Sequence, residues 1–166
     1  MYQKIQDFVA DWKSEEQLTL KIFSKITEKT KGLRATDDIR SLERLAWHIT
    51  QTLTEMPSKA GVIESDQLEN KPIPESFDTI IENYKKYSHQ LIELLQQCWT
   101  DNDLTEMIEV YGQQWERRKI LTVLVKHQIH HRGQMTSLMR LQNIEVPGIY
   151  GPSKEEWSKF GMKAHE

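Results

Sequence analysis

Three of the six histidines lie within five residues of one another, at His127, His130 and His131. His127 and His131 are four positions apart, and side chains with that spacing share one face of an α-helix. Two imidazoles on one helical face can bind a single metal ion, as in the HExxH zinc enzymes. The pair lacks the glutamate of that motif, and no glutamate stands three positions before any histidine. The sequence therefore favours neither the zincin mechanism nor the di-iron signature of helical bundles.

A helical wheel over the surrounding segment separates the three histidines. With His127 at zero, the apolar residues centre near roughly 60°. His131 then falls at about 40°, beside His127 on the inward side, whereas His130 falls near roughly 300°, at the solvent edge. The wheel predicts that His127 and His131 face the core and that His130 is an outer or surface residue.

A metal site needs at least one more ligand, and His48 is the best candidate. Its own wheel places it about 110° from the apolar centre of its helix, on a flank where a site can open to solvent. Three neutral histidines with a water are typical of catalytic zinc, and nickel also accepts imidazole. Such an ion lowers the pKa of a bound water or thiol and so supplies a nucleophile near neutral pH.

The same pattern also has a structural interpretation. A histidine at the edge of a core can be satisfied by a carbonyl or a carboxylate. We expect the two remaining histidines, His89 and His165, to be solvated. The spacing alone therefore leaves a metal site and a structural role both open.

The apolar residues recur at intervals of three and four, which predicts amphipathic helices that would position the histidines. We expect the first helix to run from Ile5 to about Lys31-Gly32, where glycine can adopt the left-handed cap. Asp37 or Asp38 can cap a second helix that stops at Pro57. Residues 57–75 are broken by proline and glycine and read as a long connection that permits a crossover.

The second half of the chain holds two further long helices. The third is expected over Phe77 to Cys98, with Cys98 on its apolar stripe as a small core residue. A polar loop around Asp101 to Gly112 precedes the fourth, from about Gln114 to Leu141, which carries the histidine cluster. Ser153 with Glu156 predicts a capping box for a short last helix.

Composition supports a helical fold. Seven glycines and five prolines in 166 residues are too few for the closely spaced turns of a sandwich or barrel. The length suits one domain, which we expect to span residues 1–166. The predicted fold class is an all-α four-helix bundle with a short C-terminal helix.

Charge and cysteine content exclude several classes of partner. The chain has 22 Lys and Arg against 25 Asp and Glu, a net charge of -3, and no basic cluster, which disfavours nucleic acid. No run approaches the roughly 20 apolar residues of a membrane span, and residues 1–10 lack the apolar middle of a secretory signal. A single cysteine, Cys98, excludes an internal disulfide and is typical of a reducing compartment. We expect a cytoplasmic protein with no membrane or nucleic-acid partner.

The order of these features resembles the DinB/YfiT-like superfamily. The resemblance covers nearly the whole chain and depends on a histidine in the second helix and on the segments Lys126–Met135 (KHQIHHRGQM) and Val146–Trp157 (VPGIYGPSKEEW). It implies an up-down-down-up bundle, a homodimer, and a metal triad of His48, His127 and His131. The superfamily includes metal-dependent hydrolases and enzymes that use low-molecular-weight thiols, such as bacillithiol S-transferases and mycothiol-dependent isomerases.

Two hypotheses for function follow. The first is a metal-dependent enzyme, a thiol S-transferase or a hydrolase, with zinc or nickel at the triad and a thiol such as bacillithiol brought from solution. Arg132 and Gln134 would then support the ligands or orient the substrate, and Gln134, at roughly 340°, leans towards the pair. No carboxylate stands out as a general base. The second is a non-catalytic, stress-related interaction protein in which the metal staples the second and fourth helices.

Overall fold

Four amphipathic helices form the body of the protein, in a computed structural model that describes residues 1–164. They are α1 (Ile5–Phe23), α2 (Leu42–Lys59), α3 (Phe77–Cys98) and α4 (Arg117–Leu141). Both α1 and α2 pack against α3 and α4, so α1 lies diagonally opposite α2. This arrangement confirms the predicted up-down-down-up bundle. No helix among the described residues is long and apolar enough to cross a lipid bilayer.

Apolar side chains from all four helices form one core. Aromatic residues of α1 contribute much of its volume: Trp12 is fully buried, and its indole nitrogen donates a hydrogen bond to Ser88 Oγ of α3 at 2.9 Å. Phe23 packs edge-on against Tyr84, with ring centroids 5.3 Å apart. Burial of this indole is favourable because the ring makes apolar contacts in the core and its N–H group keeps a hydrogen-bond partner.

The first helix ends at Phe23, earlier than the predicted end near Lys31-Gly32, and Gly32 does not adopt a left-handed conformation. The intervening residues form turns in which Thr30 Oγ1 accepts from Thr27 N at 2.9 Å. Threonine hydroxyls offer the backbone such local bonds in competition with the helix. The apolar spacing continues to Ile26, which is buried outside the helix, and this misled the prediction.

The ends of α2 also differ from the prediction. Ser41 caps the helix, accepting a hydrogen bond from Arg44 N at 3.3 Å, so the predicted cap at Asp37 or Asp38 was wrong. Pro57 lies inside the last turn, and the helix continues to Lys59. Residues 60–76 form the expected long connection, which is tied to α2 because Trp47 Nε1 donates to the carbonyl of Lys71 at 3.1 Å.

A small β-hairpin replaces part of the predicted polar loop. It consists of β1 (Met107–Val110) and β2 (Gln113–Glu116), which pair antiparallel. The two residues of the turn, Tyr111 and Gly112, both have positive φ, 52° and 73°, as the favoured two-residue hairpin turn requires. Two four-residue strands are too short to show alternation, and tyrosine at the first turn position hides the usual turn signal.

Two further local predictions need correction. Cys98 is exposed rather than part of the core, because α3 ends there and the extended Trp99 takes the buried position instead. The last helix is a 3-10 helix, Trp157–Phe160. Of the predicted capping box, one half forms: the Glu156 carboxylate accepts from Ser153 N at 3.2 Å.

Candidate metal centre

The packing of α2 against α4 brings His48, His127 and His131 together. One ring nitrogen from each lies within 4.8 Å of the other two, and the ring centroids are 4.4 to 4.9 Å apart. Within residues 1–164 this is the one group of three or more histidine, cysteine or acidic side chains close enough to share a metal ion. The three histidines selected from the sequence therefore form one cluster.

A buried glutamine that the sequence reasoning missed fixes this packing. Gln128 follows His127 and is fully buried. Its Nε2 donates to the carbonyl of Ile49 at 3.2 Å and to Thr52 Oγ1 at 3.3 Å, and its Oε1 accepts from Tyr84 OH at 3.2 Å. Because these bonds join α4 to both α2 and α3, they set the height and rotation of α4 at the cluster. The signal in the sequence was a polar residue at a position facing the core.

Hydrogen bonding prepares His131 to act as a ligand. Gln134 Oε1 lies 2.7 Å from His131 Nδ1, and an amide oxygen can only accept a hydrogen bond. The ring proton is therefore on Nδ1, which leaves the lone pair on Nε2 free. That Nε2 lies 3.1 Å from His127 Nε2, and His127 Nδ1 is buried with no hydrogen-bond partner among the described residues. The structure thus places Gln134 directly against the cluster.

These contacts fit a divalent metal ion. Zn–N distances of about 2.0–2.1 Å with tetrahedral angles separate two ligand nitrogens by roughly 3.4 Å. The 3.1 Å between the two Nε2 atoms is close to this value, whereas the widest separation in the group, up to 4.8 Å, requires a ring to turn inward. Two lone pairs facing each other at such a distance repel unless a proton or a cation lies between them.

The three imidazoles are held neutral. Burial is the main cause, and it combines with the neighbouring His127 and His131 to lower the pKa of His48 from 6.5 to about 3. Burial and then the neighbouring histidines lower the pKa of His127 to about 4, and burial lowers that of His131. Only the neutral form has a lone pair for a metal ion, so the site is ready for binding at physiological pH.

The neutral histidines predict acid sensitivity of the metal-free protein. Between pH 6.5, the ordinary pKa of histidine, and about pH 4, these histidines bind protons in the unfolded chain but stay neutral in the folded chain. The free energy of unfolding therefore falls as the pH falls through this range. We expect the melting temperature of metal-free protein to drop across it. The drop should be clearly smaller in His48→Gln and close to that of the wild type in His130→Gln, since His130 is exposed and lies outside the cluster. Equal drops in all three proteins would contradict the assignment.

The cluster adjoins an open cavity of about 920 Å³ between α4 and the segment before α2. His131, Gly133 and Gln134 form part of its wall. A Cβ added at Gly133 would meet nothing within 4 Å, so the glycine faces open space. A second cavity, of about 510 Å³, is lined by His48 and by several acidic residues, Glu55 among them. The cluster is therefore accessible to small molecules.

The guanidinium of Arg132 points away from the cluster. Arg132 is 2% exposed and lines neither of the two cavities. Its guanidinium forms an ion pair with Glu15 and donates to the Glu15 carbonyl at 2.9 Å and to Thr19 Oγ1 at 3.0 Å. Tyr150 completes this buried network. Arg132 thus joins α4 to α1 and the C-terminal segment, and its contacts include none of the three histidines.

The other histidines lie outside the cluster. His130 is exposed, with its ring 4.8 Å from that of His131. His89 is exposed on α3, with Nε2 3.6 Å from Glu16 Oε1. His165 lies outside the described residues.

Comparisons with known proteins agree with this architecture. The sequence model described as DinB family matches residues 1–164. The uncharacterized protein YrdA of Bacillus subtilis (strain 168) is 37% identical over 164 residues, 99% of this chain and 98% of its own. A DinB-like protein of Bacillus cereus ATCC 10987 superposes with a TM-score of 0.84 at 35% identity, over 90% of this chain and 100% of that one. A DinB-like protein of Bacillus subtilis, YjoA, shares the fold, with a TM-score of 0.71 at 19% identity over 89% and 99% of the two chains.

Proposed function

The chain belongs to the DinB family, and from this premise we propose that it binds one divalent metal ion through His48, His127 and His131 and uses it for group transfer or hydrolysis. One observation carries the proposal: three neutral imidazole nitrogens converge within 4.8 Å beside an open cavity. Imidazole ligands suit zinc and nickel among the divalent transition metals. We therefore propose zinc or nickel as the native metal.

The number of ligands favours an enzyme over a purely structural site. Structural zinc sites use four protein ligands, whereas catalytic sites use three and leave a position for a small molecule. An ion held here lowers the pKa of a water or thiol that reaches it. The chain's own thiol, Cys98, lines neither cavity, so a reacting thiol comes from solution. We propose a low-molecular-weight thiol such as bacillithiol as that substrate, with the large cavity as its entrance.

The activity test compares two reactions on metal-loaded protein. In the first, the sulfur of bacillithiol forms a bond to the ring carbon of 1-chloro-2,4-dinitrobenzene, chloride leaves, and the thiol proton passes to solvent; the thioether is followed by absorbance. In the second, water cleaves p-nitrophenyl acetate. We expect the wild type to catalyse one of the two reactions at a higher rate than His131→Ala, and His130→Ala to remain active in that reaction. Equal rates for wild type and His131→Ala in both reactions would contradict an enzyme of either class.

A second candidate function has an observation of its own. His48 belongs to α2 and the other two histidines to α4, so a shared ion cross-links two helices. A non-catalytic bundle stapled in this way would bind metal and lack both activities. The enzyme and the non-catalytic bundle are therefore expected to bind the same amount of metal, and only the enzyme is expected to turn over a substrate.

Gln134 should act as a positioning residue for His131. In Gln134→Ala the ring loses the hydrogen bond that fixes its proton on Nδ1, and removal of such a partner costs about 10–100-fold in metal affinity. We expect zinc affinity, measured by competition with a chromophoric chelator, to fall within this range. Ser137→Ala, an exposed position on the same cavity wall, is the matched control and should bind zinc like the wild type. Unchanged affinity in Gln134→Ala would show that the bond does not orient the ligand.

A further inference from the structure

Two arginines near the cluster lack an acidic partner. Each of the other described arginines forms an ion pair with a carboxylate, namely Arg34, Arg117, Arg118, Arg132 and Arg140. Within residues 1–164, Arg40 and Arg44 form none; Arg44 Nη1 donates to the neutral Gln51 Oε1 at 3.1 Å. Burial is the main cause of the lowered pKa of Arg44, and the positive charge of Arg40 is the second cause. The two cations therefore lie close together without compensation.

Arg40 faces the metal centre. It lines the cavity of about 920 Å³ together with His131 and Gln134. Asp38 also lines the cavity and forms no ion pair with Arg40. An exposed arginine thus lines the space that a ligand of the metal centre would occupy.

The charge of the site calls for an anion. The three histidines are neutral, so a divalent ion would keep its full charge. In the cavity wall, Arg40 adds one positive charge and Asp38 one negative charge, and Arg44 adds a further positive charge close to Arg40. The cluster contains no carboxylate. Guanidinium groups bind carboxylates and phosphates in their planar fork geometry, and such charge-assisted hydrogen bonds are stronger than neutral ones.

Beside His130 and Ser137, much of the remaining wall of the cavity is apolar. Its apolar residues come from α2, α4 and the segment before α2: Ile39, Leu45, Leu138 and Leu141. Leu141 and Ile39 are 67% and 45% exposed. A ligand with an apolar part could cover these side chains while its charged end reaches Arg40.

We propose that this cavity binds a molecule with an acidic group, a carboxylate or a phosphate, beside an apolar body, and that Arg40 binds the acidic group. The inference rests on the proposed function in taking that molecule as the substrate of the metal centre. Arg40 is then a specificity-determining residue: it selects acidic substrates and orients them towards His131.

The test uses calorimetric titration of the full chain with succinate and with phenyl phosphate, which separate carboxylate from phosphate recognition. We expect one of them to bind the wild type and to lose about tenfold or more in affinity in Arg40→Gln. Arg34→Gln is the matched control, because Arg34 is also an exposed arginine of the segment before α2 but pairs with Asp37 at 2.9 Å; it should bind like the wild type. The affinity for uncharged succinamide should be the same in the wild type and in both variants.

Each outcome bears on one proposal. The titrations are run on zinc-loaded and on metal-free protein, and metal content is measured on the same samples. Binding that depends on Arg40 in a protein that takes up no metal when zinc is supplied would support the anion site and contradict the proposed function. No binding of either anion, equal binding by wild type and Arg40→Gln, or equal losses in Arg40→Gln and Arg34→Gln would overturn the anion site while leaving the metal proposal standing.

Discussion

Replacement of His131 by alanine is expected to lower the affinity for zinc by more than about 100-fold, because loss of a ligand costs more than loss of a residue that only supports one. His131 is 6% exposed, with one ring nitrogen on Gln134 and the other 3.1 Å from His127 Nε2. No acidic or cysteine side chain within the described residues joins the cluster to replace it. The measurement is a zinc titration against a competing chelator.

The control for this prediction is the adjacent histidine. His130→Ala removes an imidazole one position away that is exposed and outside the cluster, so its zinc affinity should stay near that of the wild type. Circular dichroism of both variants checks that the helices are retained. Similar losses of affinity in the two variants would contradict the assignment of ligands and the orientation of α4 on which it depends.

Removal of the metal is expected to lower the melting temperature by roughly 8–16 °C. An ion that binds only the folded state, present at about 1,000 times its dissociation constant, adds about 4 kcal/mol to the free energy of unfolding. For a chain of this size each kcal/mol corresponds to about 2–4 °C. The effect should be large because His48 lies on α2 and the other two ligands on α4, so the ion opposes separation of two helices.

The experiment is calorimetry with and without a chelator, at constant pH. His131→Ala should show nearly the same melting temperature in both conditions, since it has little metal to lose, and this separates ion removal from any direct effect of the chelator. An unchanged melting temperature for the wild type would contradict a shared ion between α2 and α4.

The helical pattern in the sequence was sufficient to identify two of the three histidines of the cluster. His127 and His131 converge because a regular helix fixes the direction of side chains four positions apart. The bounds of α3 were also predicted correctly, since its apolar stripe is continuous from Phe77 and a serine caps it. His48 required a tertiary assumption, namely that α2 packs against α4 with its flank at this level. Gln128, inside the packed interface, is what establishes that level.

Predictions of helix ends failed where local chemistry competes with periodicity. The apolar spacing of α1 continues past Phe23, but threonine hydroxyls satisfy the backbone in turns instead. Arg132 stands next to His131 in sequence, yet adjacent helical residues differ by about 100° in direction, and its guanidinium reaches Glu15 of α1 rather than the cluster. The role proposed for Arg40 gave no signal in the sequence, because it depends on the lack of an acidic partner among the residues that the structure describes, which no linear pattern shows.

The most direct test of the metal centre is elemental analysis of the purified chain. The three-histidine site predicts close to one equivalent of zinc or nickel per chain, because one tetrahedral ion takes all three imidazoles. The His131→Ala variant, purified in parallel, should retain almost none. A wild-type content below about a tenth of an equivalent after supplementation with both metals would contradict the site.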